Sequence, residues 1–168
     1  MKTLVLICLT NFFLLSSLCD IEQGWKGIRV LNSNRRDVEE KLGKPVSDES
    51  GEVRYETPEA HARVLYSIGP CVAADTVRGG YDVKEGTVVQ YEVQPKNLTR
   101  FDELKWDKSR YESDETSHQV GVFYYFNPQD GILIVAQKIT SGSPETIRTM
   151  YFQRPKELES KYRCKPTK

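Results

Sequence analysis

Short segments of alternating apolar and polar residues are the feature of this chain that most limits its fold. The segment 87–94 reads TVVQYEVQ, in which valine and tyrosine alternate with glutamine and glutamate. Period-two alternation that is rich in β-branched and aromatic residues is typical of strands. Comparable segments are 53–57, 62–68, 119–126, 132–139 and 146–153. The pattern therefore predicts an antiparallel sheet of about five to six strands.

Turn sequences separate the last three of these segments. The chain reads NPQDG after residue 126 and SGSP before residue 145. Asparagine, proline, aspartate and glycine in such clusters favour tight turns, so 119–126 and 132–139 are predicted to form a hairpin, and 146–153 to add a third strand. Because these segments are apolar on both faces, we expect them near the centre of the sheet.

A short N-terminal helix is predicted where the chain reads SNRRDVEEKLGKP. Ser33 or Asn34 can cap its start, and Gly43 can end it. Val38 and Leu42 lie four residues apart, on one face. A helix of this length needs a packing partner, and the expected fold is therefore α+β, with the helix packed on the antiparallel sheet.

The first nineteen residues, MKTLVLICLTNFFLLSSLC, have the layout of a secretory signal. Lys2 supplies the positive start, and an apolar run leads to small residues before charge begins at Asp20. We therefore expect residues 1–19 to be a signal peptide, residues 20–168 to form a single domain, and the protein to be secreted or periplasmic. Cleavage after Cys19 gives a freely secreted chain, whereas lipidation of Cys19 gives one that is anchored to the cell envelope.

The remaining cysteines predict one disulfide. Cys8 lies inside the leader and Cys19 at its end, which leaves Cys71 and Cys164 in the domain. Two distant cysteines in an exported chain most simply pair with each other.

Charge and motifs predict no nucleic-acid partner, metal, cofactor or catalytic residue. The chain has 24 basic and 24 acidic residues, and the two signs are interspersed, whereas a nucleic-acid footprint needs clustered Lys and Arg. Neither His61 nor His118 has metal-ligand spacing, and the serines lie outside nucleophile motifs. We therefore expect a protein that is not an enzyme.

Binding is the function that this composition favours. The loop 69–81 combines five residues that make it a candidate contact region: Gly69, Pro70, Gly79, Gly80 and Tyr81. Some strand aromatics are also candidates for an exposed patch. We interpret the chain as an exported binding or envelope-associated module for another envelope or extracellular protein, with membrane contact only if Cys19 is lipidated. The alternatives are a secreted inhibitor or small-ligand carrier, and an enzyme of an unrecognised type.

The helix segment, which ends in Leu-Gly-Lys-Pro, resembles an element of the SmpA/OmlA-like outer-membrane lipoproteins and of β-lactamase-inhibitor-like modules. The whole chain is also similar to small secreted bacterial domains of unknown function. The residues that carry this second likeness are Trp25, Gly69-Pro70-Cys71, Gly86-Thr87-Val88, Tyr125-Phe126-Asn127 and Cys164. The resemblance implies a non-enzymatic periplasmic or cell-surface module, and it assigns no functional residue.

Overall fold

The computed structural model describes residues 24–49, 51–72, 76–104, 106–115 and 121–165, so the predicted leader, Cys19 and His118 lie outside the described residues. Two α-helices and eight strands are formed within these ranges. In chain order they are α1 (Arg35–Leu42), β1 (Ser47–Glu49), β2 (Glu52–Glu56), β3 (Ala60–Tyr66), β4 (Val88–Pro95), β5 (Glu112–Glu115), β6 (Val122–Asn127), β7 (Ile132–Gln137), β8 (Thr146–Phe152) and α2 (Lys156–Tyr162).

The strands form one antiparallel sheet in the order β1-β2-β3-β4-β8-β7-β6-β5. Each half is a meander of four consecutive strands, and the halves join where β4 pairs with β8 through Tyr91 opposite Phe152 and Val93 opposite Met150. The predicted α+β class and antiparallel sheet are confirmed. The interior position expected for the segments that form β6, β7 and β8 is also confirmed.

The sequence predicted five to six strands and one helix, whereas the described residues form eight strands and two α-helices. The missed strands, β1 and β5, are the two edges of the sheet, and their sequences are SDE and ESDE. Charged edge strands resist unwanted pairing, and they also lack the apolar alternation that identifies a strand. The missed helix, α2, contributes only Leu158 and Tyr162 to the packing against the core.

Local side-chain bonds fix the start of α1. The Asn34 side chain accepts a hydrogen bond from the backbone N–H of Asp37 (3.2 Å), and the Asp37 carboxylate accepts one from the N–H of Asn34 (2.8 Å). This reciprocal capping box identifies Asn34, rather than Ser33, as the cap. Gly43, with a φ of 86°, ends the helix in a conformation that favours glycine. Val38 and Leu42 are buried in the core, as predicted.

The β6–β7 turn forms as the sequence predicts. The side-chain oxygen Oδ1 of Asn127 accepts hydrogen bonds from the N–H groups of Gln129 (3.1 Å) and Asp130 (3.2 Å). Gly131 has a φ of 69°, and a Cβ there would lie 2.5 Å from the Gln153 carbonyl oxygen. Glycine is therefore required at the end of this turn.

The core lies on one face of the sheet. A row of directly opposite residues crosses the sheet from β2 to β6, and every member is buried: Val53, Val64, Tyr91, Phe152, Ile132 and Asn127. Tyr91 and Phe152 stack at the junction of the two meanders, with their ring centroids 4.4 Å apart. Apolar side chains of α1 and α2 pack with this face. No helix within the described ranges is long and apolar enough to cross a membrane.

The predicted disulfide between Cys71 and Cys164 is confirmed, with Cα atoms 5.6 Å apart. It joins the loop after β3 to the residues that follow α2. Backbone hydrogen bonds support the junction, because Cys71 donates to Tyr81 (3.0 Å) and Cys164 to Gly80 (3.0 Å). A sequence separation of 93 residues makes the bond a strong restriction on the unfolded chain.

Candidate binding face

Cross-strand register separates the two faces of the sheet, because directly opposite residues share a face. A second row of opposite residues lies one position along from the core row and runs from β2 to β5: Arg54, Arg63, Glu92, Tyr151, Leu133, Phe126 and Glu112. No member of this row belongs to the core cluster of the described residues. We call the side of the sheet that carries this row the open face.

The half of the open face formed by β6, β7 and β8 is apolar. Five side chains form what we call the apolar patch: Tyr124, Phe126, Leu133, Val135 and Tyr151. Phe126 is 38% exposed, and the other four are partly exposed. None of the five packs against the core. Contiguous apolar surface of this kind marks interaction sites on soluble proteins.

The half formed by β2, β3 and β4 is charged. The Arg63 guanidinium pairs with Glu92 (2.6 Å) and with Glu52 (3.1 Å), and Arg54 pairs with Glu52 (3.1 Å). Lys96 pairs with Glu56 (2.6 Å). We call these residues, together with His61, the charged network. Its cations and carboxylates largely neutralise one another.

Glu92 is the buried member of the charged network. Its side chain is only 9% exposed, and its carboxylate accepts hydrogen bonds from Arg63 Nη2 (2.6 Å) and Gln94 Nε2 (2.6 Å). A buried carboxylate is tolerated when it is paired and hydrogen-bonded in this way. Burial, followed by the charge of Glu92, raises the pKa of neighbouring Tyr151.

His61 lies at the exposed end of the charged network. Its Nδ1 contacts the Glu56 carboxylate, which also binds Lys96. Hydrogen bonding to Lys96, and then to His61, lowers the pKa of Glu56. Glu56 is therefore ionised at neutral pH and acts as a fixed negative charge.

A groove of about 780 Å³ lies over the charged half of the open face. Val46 lines one end, Arg54, His61 and Arg63 line the middle, and Tyr151 lines the end next to the apolar patch. Because Tyr151 belongs to both, the groove and the apolar patch form one continuous surface.

A second cavity of about 420 Å³ lies on the core side of the sheet. Its apolar lining includes Ile28, Tyr91, Ile132, Phe152 and Leu158.

The predicted contact loop is packed around the disulfide. Gly69, Gly79, Gly80 and Tyr81 are buried, and only Pro70 among the five predicted residues is exposed. The Tyr81 hydroxyl donates to Glu159 (3.3 Å) and accepts from Arg163 (3.1 Å). Among the residues of this loop that the structure describes, the exposed large apolar side chains are instead Val72 (46%) and Val77 (47%). A contact role for the loop stays a prediction.

The sequence pointed to exposed strand aromatics but did not say which ones. The segments of β6 to β8 are apolar on both faces, so their pattern leaves the core side undetermined. The register with β4 determines which side of β8 faces the core. Tyr91 lies opposite Phe152 on the core side, and Tyr151 therefore faces outward. Within the ranges that the structure describes, no three His, Cys, Asp or Glu side chains are grouped as metal ligands.

No protein-family model matches the chain, and comparisons with curated proteins and with solved structures found no match either.

Proposed function

We propose that this chain is an exported, non-catalytic binding module that contacts another envelope or extracellular protein through its open face. One observation carries the proposal: the five apolar side chains of the apolar patch lie opposite the core and remain partly exposed. Large apolar side chains on that side add little to packing in the monomer, whereas burial against a partner removes them from water.

The composition of the open face suits a protein partner. Interfaces commonly place aromatic anchors at the centre and polar groups at the rim, and tyrosine and arginine are enriched among the residues that dominate binding. Here Tyr124, Phe126 and Tyr151 supply anchors, and Arg54 and Arg63 border them on the side of the groove. The apolar patch and the groove together offer a surface of this kind.

Export is part of the proposal. A disulfide persists in oxidising compartments, and the Cys71–Cys164 bond therefore agrees with a secretory leader at residues 1–19. Mass spectrometry of the exported chain tests this part. We expect a chain that starts at Asp20, or an acylated Cys19, and an intact chain with free thiols contradicts export.

Site-directed photo-cross-linking in the exporting cell tests the binding face. A photoreactive phenylalanine at Phe126 is compared with one at Glu40, an exposed position on α1. We expect a discrete adduct with another protein from position 126 that is missing from position 40. The same adducts from both positions, or none from position 126, contradict the proposal.

The 420 Å³ cavity favours a second candidate, a carrier of a small apolar ligand. Its volume lies in the range of small-molecule sites. Binding of a fluorescent fatty acid tests this candidate, with Ile132→Trp to fill the cavity and Leu133→Trp as the neighbouring control on the open face. A carrier loses the probe in the first variant and keeps it in the second, whereas no binding by the parent protein excludes this ligand class.

A further inference from the structure

We infer that the partner segment that occupies the apolar patch is basic, with apolar anchors flanked by lysine or arginine. This inference rests on the proposed function and adds the chemistry of the partner. It starts from the acidic strand β5, which borders the apolar patch on the side away from the charged network.

Two carboxylates of β5 lie directly beside the apolar patch. Glu112 is opposite Phe126, and Asp114 is opposite Tyr124, so both side chains project from the open face. Both residues are exposed, and neither forms an ion pair with the described part of the chain. Their negative charge is therefore available to a partner.

The acidic residues on the other side of the apolar patch differ in this respect. Glu52 and Glu92 are paired with Arg63, and Glu56 is paired with Lys96. The charged network thus presents little net charge. Among the described residues of the strands that form or border the apolar patch, two exposed carboxylates of β5 and one exposed cation, Arg148 of β8, have no ion-pair partner, so the excess charge beside the patch is negative. The negative potential of these carboxylates attracts a cationic segment, whereas it repels an anionic membrane surface or a nucleic acid.

A second copy of this chain is a poor partner for pairing at the sheet edges for the same reason. The outer edge of β5 pairs with no other described strand. The opposite edge of the sheet, β1, also carries acidic residues, namely Glu49 and Asp48, of which Asp48 pairs with Arg35 (2.7 Å). Pairing either edge with its own copy or with the other edge places carboxylates close together, which is destabilising. A segment with lysine or arginine around apolar anchors can pair its cations with the carboxylates of β5 and bury its anchors against the apolar patch.

The test uses the full exported chain with its disulfide intact and two fluorescently labelled peptides. Both peptides carry the same tryptophan and leucine anchors, and they differ only in having lysine or glutamate at every polar position. Fluorescence anisotropy gives their affinities at low and high salt. We expect the lysine peptide to bind at least about tenfold more tightly, which corresponds to about 1.4 kcal/mol, and the difference to shrink at high salt because these charges are exposed.

Charge reversal locates the effect. The double substitution Glu112→Lys/Asp114→Lys is expected to reverse the preference between the peptides. The control Glu40→Lys/Glu157→Lys makes the same change in net charge on α1 and α2, and it is expected to leave the preference intact. An equal loss of preference in both variants overturns the inference, since long-range charge alone then explains it.

The substitution Phe126→Ser separates this inference from the proposed function. If it weakens both peptides while the parent protein binds them equally, the open face binds apolar segments and the basic character of the partner is wrong. If the lysine peptide binds and Phe126→Ser has no effect, the apolar patch is not the site, and both the inference and the proposed function fail. Absence of binding by either peptide also overturns the inference, and the cross-linking experiment then decides the proposed function alone.

Discussion

At the scale of single residues, neighbours of the same type have different roles on the open face. Arg54 and Arg63 lie directly opposite each other on β2 and β3. The Arg63 side chain is 44% exposed and neutralises the buried carboxylate of Glu92. The Arg54 side chain is 63% exposed, and within the described part of the chain its one ion-pair partner is Glu52. The burial of the carboxylate partner, more than the arginine itself, determines how much each ion pair contributes to stability.

The two arginines therefore give a matched pair of substitutions. We expect Arg63→Met to lower the free energy of unfolding by roughly 2 kcal/mol, less than the loss of a fully buried pair because Arg63 is itself partly exposed. Arg54→Met is expected to cost under about 0.5 kcal/mol. Urea unfolding at neutral pH measures both values, and equal costs would show that Glu92 does not depend on Arg63.

Two buried tyrosines make stability sensitive to alkaline pH. The hydroxyls of Tyr55 and Tyr66 are 2.8 Å apart, and burial is the main cause that raises the pKa of each phenol. The folded protein therefore retains protons that the unfolded chain releases above the ordinary tyrosine pKa of about 10. Stability from these groups is complete below that pH and is lost as the pH rises above it.

The substitution Tyr66→Phe should flatten this alkaline loss. It removes one raised group, so the free energy of unfolding falls less steeply above about pH 10. At neutral pH the variant is expected to lose about 1 kcal/mol, because Tyr55 loses its hydrogen-bond partner. Urea unfolding over a pH series measures both effects, and parallel curves for variant and parent protein would contradict the assignment.

At the scale of elements, the sequence predicts the strands that have alternating apolar and polar residues and the helix that has a capping sequence. Six interior strands and α1 have those signals, whereas the acidic edges β1 and β5 lack them because both of their faces are polar. Burial of Gly69, Gly79, Gly80 and Tyr81 in the loop 69–81 was also beyond the sequence. Its glycines and proline indicate irregular backbone, but the packing of Tyr81 depends on residues far along the chain, such as Glu159 and Arg163.

The position of the apolar patch could not be predicted for a related reason. In β6, Tyr124 and Phe126 face outward while Tyr125 packs against the core, yet all three are large aromatics. Only pairing with the rest of the sheet distinguishes them.

The cap of α1 gives a prediction at this scale. We expect Asn34→Ala to lower the free energy of unfolding by about 1 kcal/mol, because the Asp37 N–H loses the side-chain oxygen that accepts its hydrogen bond. Asn32→Ala is the control, since Asn32 is an exposed asparagine just before the helix. Chemical unfolding measures both, and an equal effect of the two substitutions would show that the cap contributes nothing specific.

At the scale of the whole molecule, two meanders share one short junction. Three residue pairs join β4 to β8, and one of them is the stacked pair Tyr91 and Phe152. The disulfide connects the same two halves, because Cys71 follows β3 and Cys164 follows α2. The bond therefore reinforces the continuity of the sheet on which the open face depends.

Removing the disulfide should destabilise the whole molecule. In the chain-entropy description, a disulfide that closes a loop of this length raises the free energy of unfolding by about 4–5 kcal/mol, because it restricts the unfolded chain. We expect Cys71→Ser to melt well below the oxidised parent protein and close to the reduced parent protein. An unchanged melting temperature relative to the oxidised parent protein would contradict a stabilising role for the bond.

The central claim is that the open face binds a partner, and its most direct test is the yield of the cross-link from position 126 after the neighbouring anchors are removed. Leu133→Ser/Tyr151→Ser is expected to stay folded and to reduce the adduct by about tenfold or more, since anchors at the centre of an interface dominate binding. The control Lys41→Ser/Lys44→Ser changes exposed positions at the end of α1 and just after it, and it should leave the yield unchanged. An undiminished adduct from the folded Leu133→Ser/Tyr151→Ser protein would contradict the account.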